Sequence, residues 1–216
     1  MEKIKGCIFD LDGVIVDTAK YHFLAWKRLA DELNIDFTEE DNERFKGVSR
    51  MKCLDILLEI GNIQLDSNEK HYLAEKKNNW YLEYISKINK SDILPGTLDF
   101  INRAKKSGLK IGLGSASKNT MAILRGIDLV SEFDSIVDGN RVSKAKPDPE
   151  VFLLCAKDMG LTPQSCVVFE DAYAGILAAK NANMLAIGIG SASILKKADK
   201  VIPSFDGITI DILNSL

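Results

Sequence analysis

Alternating apolar runs and helical patterns in this 216-residue sequence predict an α/β protein: a parallel, Rossmann-like sheet core with an all-helical segment inserted after its first strand. Three observations carry this reading. Short apolar runs that end in polar residues recur at 4–11, 109–113, 166–169 and 185–189. Runs of this length bounded by turn residues suit buried strands rather than surface helices. The later runs are separated by helical patterns, whereas no convincing strand occurs between residues 18 and 90.

The elements follow in order. Residues 4–11, Ile-Lys-Gly-Cys-Ile-Phe-Asp-Leu, read as a central strand with Asp10 near its carboxyl end. Over 18–34, Ala19, Phe23, Trp26, Ala30 and Leu33 recur at spacings of three and four, which marks one apolar stripe of a helix. Segments 38–60 and 66–88 are also helix-like, the second opened by Asp66 with Glu69 three residues on, a capping-box start. After Leu94-Pro95-Gly96 a helix runs to Ser107, and Gly108 stops it. Strand 109–113, a helix through the 120s, strand 135–138, helix 150–160, strand 166–169, helix 174–183 and strand 185–189 complete the alternation. Residues 1–16 and 91–216 are therefore expected to form one α/β core, and 17–90 a helical cap.

Composition narrows the function. With 28 basic and 31 acidic residues interspersed and a net charge of -3, no basic stripe offers itself to nucleic acid. Cys7, Cys53, Cys155 and Cys166 lie far apart, without a C-x-x-C pair, so buried reduced thiols are expected rather than a zinc site or disulfides. The first residues lack an apolar signal core, and no run of about 18 apolar residues could span a bilayer. A cytoplasmic monomer acting on a small molecule, without nucleic acid or membrane, is the expectation.

In a parallel sheet, ligands bind beyond the carboxyl ends of the strands, where the chemistry-bearing residues of this chain collect. The first strand ends in Asp10-Leu11-Asp12-Gly13, the second in Ser115-Ala116-Ser117-Lys118-Asn119, and the fourth in Glu170-Asp171. The loop Lys144-Ala145-Lys146-Pro147 lies between the third and fourth. Converging carboxylates repel one another unless a cation neutralises them, and oxygen-only ligands suit Mg²⁺. Other readings of single motifs are weaker. Asp-x-Asp-Gly does not open an EF-hand, since Val14 and Ile15 stand where an oxygen ligand and a glycine are required. Gly112-Leu113-Gly114 has only two of the three glycines of a dinucleotide fingerprint. Taken alone, Glu170-Asp171 suits a helix cap equally well, and Lys144 and Lys146 suit solvated loop charges.

Together these residues resemble the haloacid dehalogenase-like phosphotransferases, whose four motifs correspond to Asp10 with Asp12, Ser115, Lys146, and Glu170 with Asp171. Within that family the chain is similar to the β-phosphoglucomutase branch over nearly its whole length. Asp10 to Val14, Asp17-Thr18, Tyr21-His22-Phe23, Ala25-Trp26, Lys46 to Arg50, Ser115 to Asn119 and Glu170-Asp171 carry that likeness. Two departures stand out: Cys53 where a sugar-contacting serine is expected, and Asp148 after Lys146-Pro147 in place of a small residue.

The resemblance implies an Mg²⁺-dependent sugar-phosphate mutase that interconverts β-glucose 1-phosphate and glucose 6-phosphate through an aspartyl phosphate and glucose 1,6-bisphosphate. A phosphatase with water as acceptor is the alternative. Asp10 is then the nucleophile and Asp12 the acid/base, with Lys146 screening the approach of two anions. Ser115 and Ala116 bind the transferring phosphoryl group, and Ser117 and Asn119 the substrate. The metal falls to Asp10, the backbone carbonyl of Asp12 and Asp171, with Glu170 binding it directly or supporting a residue that does. His22 pairs with Asp12 near the hinge, joined by Lys77 or its neighbour Lys76; Trp26 is cap core first and cleft wall second.

The cap holds the choice between mutase and phosphatase. From Arg44 to Lys52 there are four bases and no acid. Lys46-Gly47-Val48-Ser49-Arg50 reads as a loop that grips a second phosphate, or as a solvated basic helix end.

Overall fold

The structure, a computed structural model, describes residues 3–45 and 48–216. Strand β1 (Gly6–Phe9) is followed by helices α1 (Ala19–Glu32), α2 (Glu39–Glu43), α3 (Arg50–Ile60) and α4 (Ser67–Ile85). Alternation then begins with α5 (Thr97–Lys106), β2 (Lys110–Gly114), α6 (Thr120–Gly126) and β3 (Ser135–Val137). It ends with α7 (Glu150–Asp158), β4 (Cys166–Glu170), α8 (Tyr173–Asn181), β5 (Leu185–Ile189) and β6 (Lys200–Ile202). The strands form one sheet in the order β3-β2-β1-β4-β5-β6, and every pairing is parallel.

Pleating divides the core between the two faces of the sheet, because successive side chains of a strand point to opposite sides. Cys7 and Phe9 of β1 join one buried cluster together with Leu113, Phe169 and Phe100, while Ile8 joins the other with Phe152, Val168 and Ile176. On the first face the rings of Phe9 and Phe169 stack at 4.8 Å, and Phe100 meets Phe169 edge-on at 5.2 Å. Strands buried on both faces must be apolar throughout, which is why β1, β4 and β5 read as continuous runs rather than alternating ones.

After β1 the chain leaves the sheet beside the place where it returns. Val16 bridges Ile93, and the Leu94 amide donates to the Ile15 carbonyl at 2.9 Å. Between these two strands of connection, α1 packs on α4 and α3 on α4. Their shared interior is built from Trp26, Leu29, Leu54, Leu57 and Tyr81. The Asp66 capping box at the start of α4 is present in both directions, as its sequence requires. Segment 38–60 is not one helix: α2 stops at Glu43, and Ser49 is extended at φ -65° and ψ 150° before α3 begins. The expected first strand is also shorter than 4–11, so Asp10 stands just past its end. Strand β6, three residues at the sheet edge, has no counterpart in the sequence reading.

Candidate active site

The strand order reverses between β1 and β4, and a sheet of this kind opens a crevice at such a switch point. Asp10 follows β1, Glu170 ends β4 with Asp171 next to it, and Ser115 follows β2. One carboxylate oxygen each from Asp10, Glu170 and Asp171 falls within 4.8 Å of the other two. Two glycines permit that approach. Gly13 turns at φ +77°, and a Cβ there would lie 2.2 Å from Asp171 Oδ2. A Cβ on Gly175, in the first turn of α8, would lie 1.7 Å from Glu170 Oε1.

Lys146 reaches this group from the loop before α7. Its Nζ donates to Asp10 Oδ1 and Glu170 Oε1, both at 2.7 Å, and to the Gly114 carbonyl at 3.1 Å. Burial opposes the charge on this ammonium, but the carboxylates of Asp10 and Glu170 outweigh it and keep Lys146 protonated. Burial pushes the Glu170 carboxyl up, with Lys146 acting against it, and Glu170 also accepts the Ala172 amide at 2.7 Å. Lys144, the other loop lysine, stays on the surface 3.6 Å from Asp148. One ammonium touching two of three clustered carboxylates leaves the group short of positive charge. An all-oxygen donor set in that condition fits a hard divalent cation such as Mg²⁺.

Asp12 stands apart from that trio. Among the described residues its carboxylate is not a member of the group, and it accepts a hydrogen bond at Oδ1 from the Thr18 hydroxyl instead. Burial first, and the charge of Asp10 second, push its carboxyl up to about 6. Thr18 is wholly buried at the start of α1, and its hydroxyl, free of any capping bond, is committed to Asp12.

A cleft of about 480 Å³ runs between the sheet edge and the helices. Asp10, Asp12, Ala116, Ser117, Asn119 and Lys146 line the sheet side, and His22, Trp26, Val48, Ser49, Arg50 and Lys77 the helical side. Ser115 lies beneath this surface, 1% exposed, and its hydroxyl accepts the Ser117 amide at 3.1 Å. Lys46 and Gly47 lie outside the described residues. Arg50 does not stand free: its Nη1 donates to Glu75 Oε1 at 2.7 Å. A second cleft of about 640 Å³ lies on the far side of Gly13 and Asp171, but its walls include neither Asp10 nor Lys146.

Packing turns the two neighbouring lysines in different directions. Lys76 points away to Glu32 Oε2 at 2.5 Å, whereas Lys77 is buried with its Nζ 3.0 Å from His22 Nδ1. Burial, then the charges of Lys77 and Arg50, hold His22 well below the usual imidazole range, which favours the neutral ring. Its ring stacks on Tyr81 at 4.0 Å. Trp26 is buried edge-on against Phe45 at 5.3 Å while one face of it lines the cleft. His71, read as a surface residue, is exposed and bonds the Ser67 carbonyl within its own helix.

Thr18, which bonds Asp12, and the cleft residues Glu75 and Asn78 are not read from the sequence as parts of the site. Thr18 signals only a helix start and a piece of a resembling motif. Glu75 and Asn78 sit inside α4, where nothing local marks them; Asn78 Oδ1 accepts from Asn119 Nδ2 at 2.9 Å and so ties α4 to the loop after β2.

A model of the haloacid dehalogenase-like hydrolases matches residues 4–183. The chain belongs to that family. The family motif residues Asp10, Asp12, Ser115, Lys146, Glu170 and Asp171 gather at the carboxyl edge of the sheet of this haloacid dehalogenase-like hydrolase. It is 41% identical over 213 residues to β-phosphoglucomutase of Bacillus subtilis, a match that covers 98% of this chain and 94% of that protein. It is 34% identical to a phosphorylated carbohydrates phosphatase of Thermotoga maritima, over 84% of this chain and 82% of the other. The crystal structure of β-phosphoglucomutase from Clostridium difficile superposes with a TM-score of 0.94 at 43% identity, covering 98% and 96% of the two chains. Among the described residues, no helix is long and apolar enough to cross a membrane.

Proposed function

We propose that this protein is a β-phosphoglucomutase that interconverts β-glucose 1-phosphate and glucose 6-phosphate, passing through an aspartyl phosphate on Asp10 and through glucose 1,6-bisphosphate. The observation that carries this reading is the pairing of Asp10 and Asp12 on one wall of a cleft whose opposite wall presents Arg50. A mutase must hold two phosphates at once, one at the nucleophile and one at a distance, and a basic group across the cleft supplies the distant grip. Similarity to the B. subtilis mutase over nearly the full chain supports the same choice.

The chemistry follows from the side chains. An oxygen of Asp10 attacks phosphorus in line, the new P–O bond forms on the carboxylate, and the bond to the sugar oxygen breaks. Lys146, fixed at 2.7 Å from Asp10 Oδ1, offsets repulsion between the carboxylate and the incoming phosphate. Asp12 gives its proton to the leaving sugar oxygen and takes one back from the next hydroxyl that attacks the phosphoenzyme. A carboxyl raised to about 6 suits both roles near neutral pH. Thr18 holds Asp12 in place through Oδ1. Asp10, Glu170, Asp171 and the Asp12 carbonyl would hold Mg²⁺, which when bound would neutralise charge on the phosphoryl oxygens. Residues 17–90 serve as a cap over the core of 1–16 and 91–216, with Val48, Ser49, Lys46, Gly47 and Arg50 as the distant phosphate loop. Ser117, Asn119 and Ala116 meet the substrate from the core side. Ser115, whose oxygen accepts the Ser117 amide, keeps its hydroxyl proton to donate to the transferring phosphoryl group.

The test is phosphorus NMR of the protein with β-glucose 1-phosphate, Mg²⁺ and a trace of glucose 1,6-bisphosphate. The substrate resonance should give way to glucose 6-phosphate without inorganic phosphate. Inorganic phosphate rising in step with substrate loss would establish a phosphatase, the activity of the T. maritima relative's name.

A further inference from the structure

Two lysines are buried against the same cleft, and their surroundings are opposite. Lys146 is clamped by two carboxylates. Lys77, 2% exposed, has no carboxylate within ion-pair distance among the described residues. Its Nζ meets the neutral imidazole of His22 at 3.0 Å and the faces of Trp26 and Tyr81 at 4.6 Å and 4.9 Å. These rings favour an ammonium, but the site gives it no carboxylate in contact.

From this contrast we infer that Lys77 is a nucleophilic amine that captures phosphorylated aldehydes as an imine inside the cleft. Cleft volume, near 480 Å³, is sufficient for a compact ligand of that class, and Lys77 lines it along with Arg50 and Asp10. The free-base form needed for attack is accessible: burial depresses the Lys77 amine to about 7, Arg50 adding to the effect while Cys53 and Asp12 oppose it. At pH 7.5 such an amine is neutral roughly 500 times more often than an exposed lysine. With His22 Nδ1 taking an N–H of the amine at 3.0 Å, the ring orients the nitrogen and leaves its lone pair free to attack.

The step balances without an oxidant. The nitrogen lone pair forms a C–N bond as the carbonyl π bond opens, and the nitrogen's two protons pass to the former carbonyl oxygen, which departs as water to leave C=N. The phosphate anchors the aldehyde, and that part of the inference rests on the proposed phosphate-binding role of the cleft. The amine's reactivity does not. An open-chain aldose phosphate or a shorter aldehyde phosphate satisfies the same requirements.

Pyridoxal 5′-phosphate is a suitable probe, trapped by borohydride and located by peptide mapping of the full chain, with pyridoxal lacking the phosphate run in parallel. The expected result is one label per chain on Lys77, at least about ten times faster than on any surface lysine, as the free-base fractions require. Lys146, in the same cleft but ion-paired, should stay unmodified. Pyridoxal should label Lys77 at least tenfold more slowly, and glucose 6-phosphate should protect it. Lys77→Arg should lose the label; if that variant does not fold, the wild-type peptide map carries the test alone. Label confined to surface lysines, or to Lys146, overturns the inference. Equal labelling by pyridoxal overturns its phosphate part, and in that case the NMR assay of unlabelled enzyme tells whether the mutase reading has failed with it.

Discussion

Gly13 presents its bare α-carbon to Asp171, so closely that a Cβ would sit 2.2 Å from Oδ2. Backbone at φ +77° is also a conformation that L side chains adopt at a cost of roughly 1–2 kcal/mol. Gly13→Ala should therefore displace Asp171 from Asp10 and Glu170 and weaken Mg²⁺ binding about 10–100-fold, the usual effect of disturbing the support of a metal ligand. Titration with Mn²⁺, read by water relaxation, measures this without turnover. Unchanged affinity would remove Asp171 from the metal site.

Asp10→Asn should abolish turnover, because an amide is a poor nucleophile and a poorer ligand. Loss of a nucleophile costs several orders of magnitude, so steady-state activity above about one hundredth of wild type would exclude the covalent role. The same substitution removes one of the two carboxylates at 2.7 Å from Lys146. Circular dichroism should accompany the assay to show that the fold survives.

Thr18 is a positioning residue, and its substitution separates position from fold. Thr18→Val keeps the shape but deletes the donor to Asp12, whose hydrogen bond to a carboxylate is worth about 1.5–3 kcal/mol. The kcat should fall about 10- to 100-fold with KM little changed, and Thr18→Ser should restore most of it. A kcat that is unmoved in the valine variant would show that Asp12 needs no holding.

Arg50 distinguishes substrates by their length. Arg50→Ala should weaken reaction with glucose 6-phosphate and the bisphosphate far more than with acetyl phosphate, which has no second phosphate to reach across the cleft. Arg50→Lys should recover part of the loss, since a point charge lacks the bidentate fork. Glu75, now paired with Arg50 at 2.7 Å, competes with the phosphate, so Glu75→Gln should lower KM for glucose 6-phosphate. Equal losses with long and short donors would leave Arg50 as a surface charge.

Burial of Lys77 makes stability depend on pH in a definite direction. Its amine is depressed to about 7 in the folded protein from 10.5 for an ordinary lysine, so between those values the unfolded chain binds more protons. Stability therefore rises with pH across that window, and the gain is lost as pH falls through 7. Relative to Lys77→Met, the wild-type protein should gain a few kcal/mol between pH 7 and pH 10, at about 1.4 kcal/mol per pH unit as an upper limit. Urea unfolding of both proteins at each pH measures the difference. Parallel curves would mean that Lys77 keeps its proton in the folded state.

Much of this molecule is written locally in its sequence. Apolar runs at β1, β2, β4 and β5 announce a parallel sheet because strands covered on both faces cannot alternate in polarity. Asp10, Asp12, Ser115 and Glu170-Asp171 are legible as site candidates because they end those runs, and strand ends in such a sheet face the ligand. Tertiary structure alone decided the rest. Lys146, singled out in the sequence only by a family motif, is seen to turn inward while Lys144 does not, and Lys77 rather than its neighbour Lys76 faces the cleft, a difference that adjacent lysines carry no local mark of. Glu75 meets Arg50 and Asn78 meets Asn119 across 25 and 41 residues of chain, so neither partner is visible from its own neighbourhood. That the Ser115 oxygen also accepts the Ser117 amide likewise depends on how the loop after β2 folds. Sequence dictates where a strand ends through the pattern of buried side chains along it. Which polar atoms then meet depends on how separate elements pack, and that is fixed only when the helices close over the sheet.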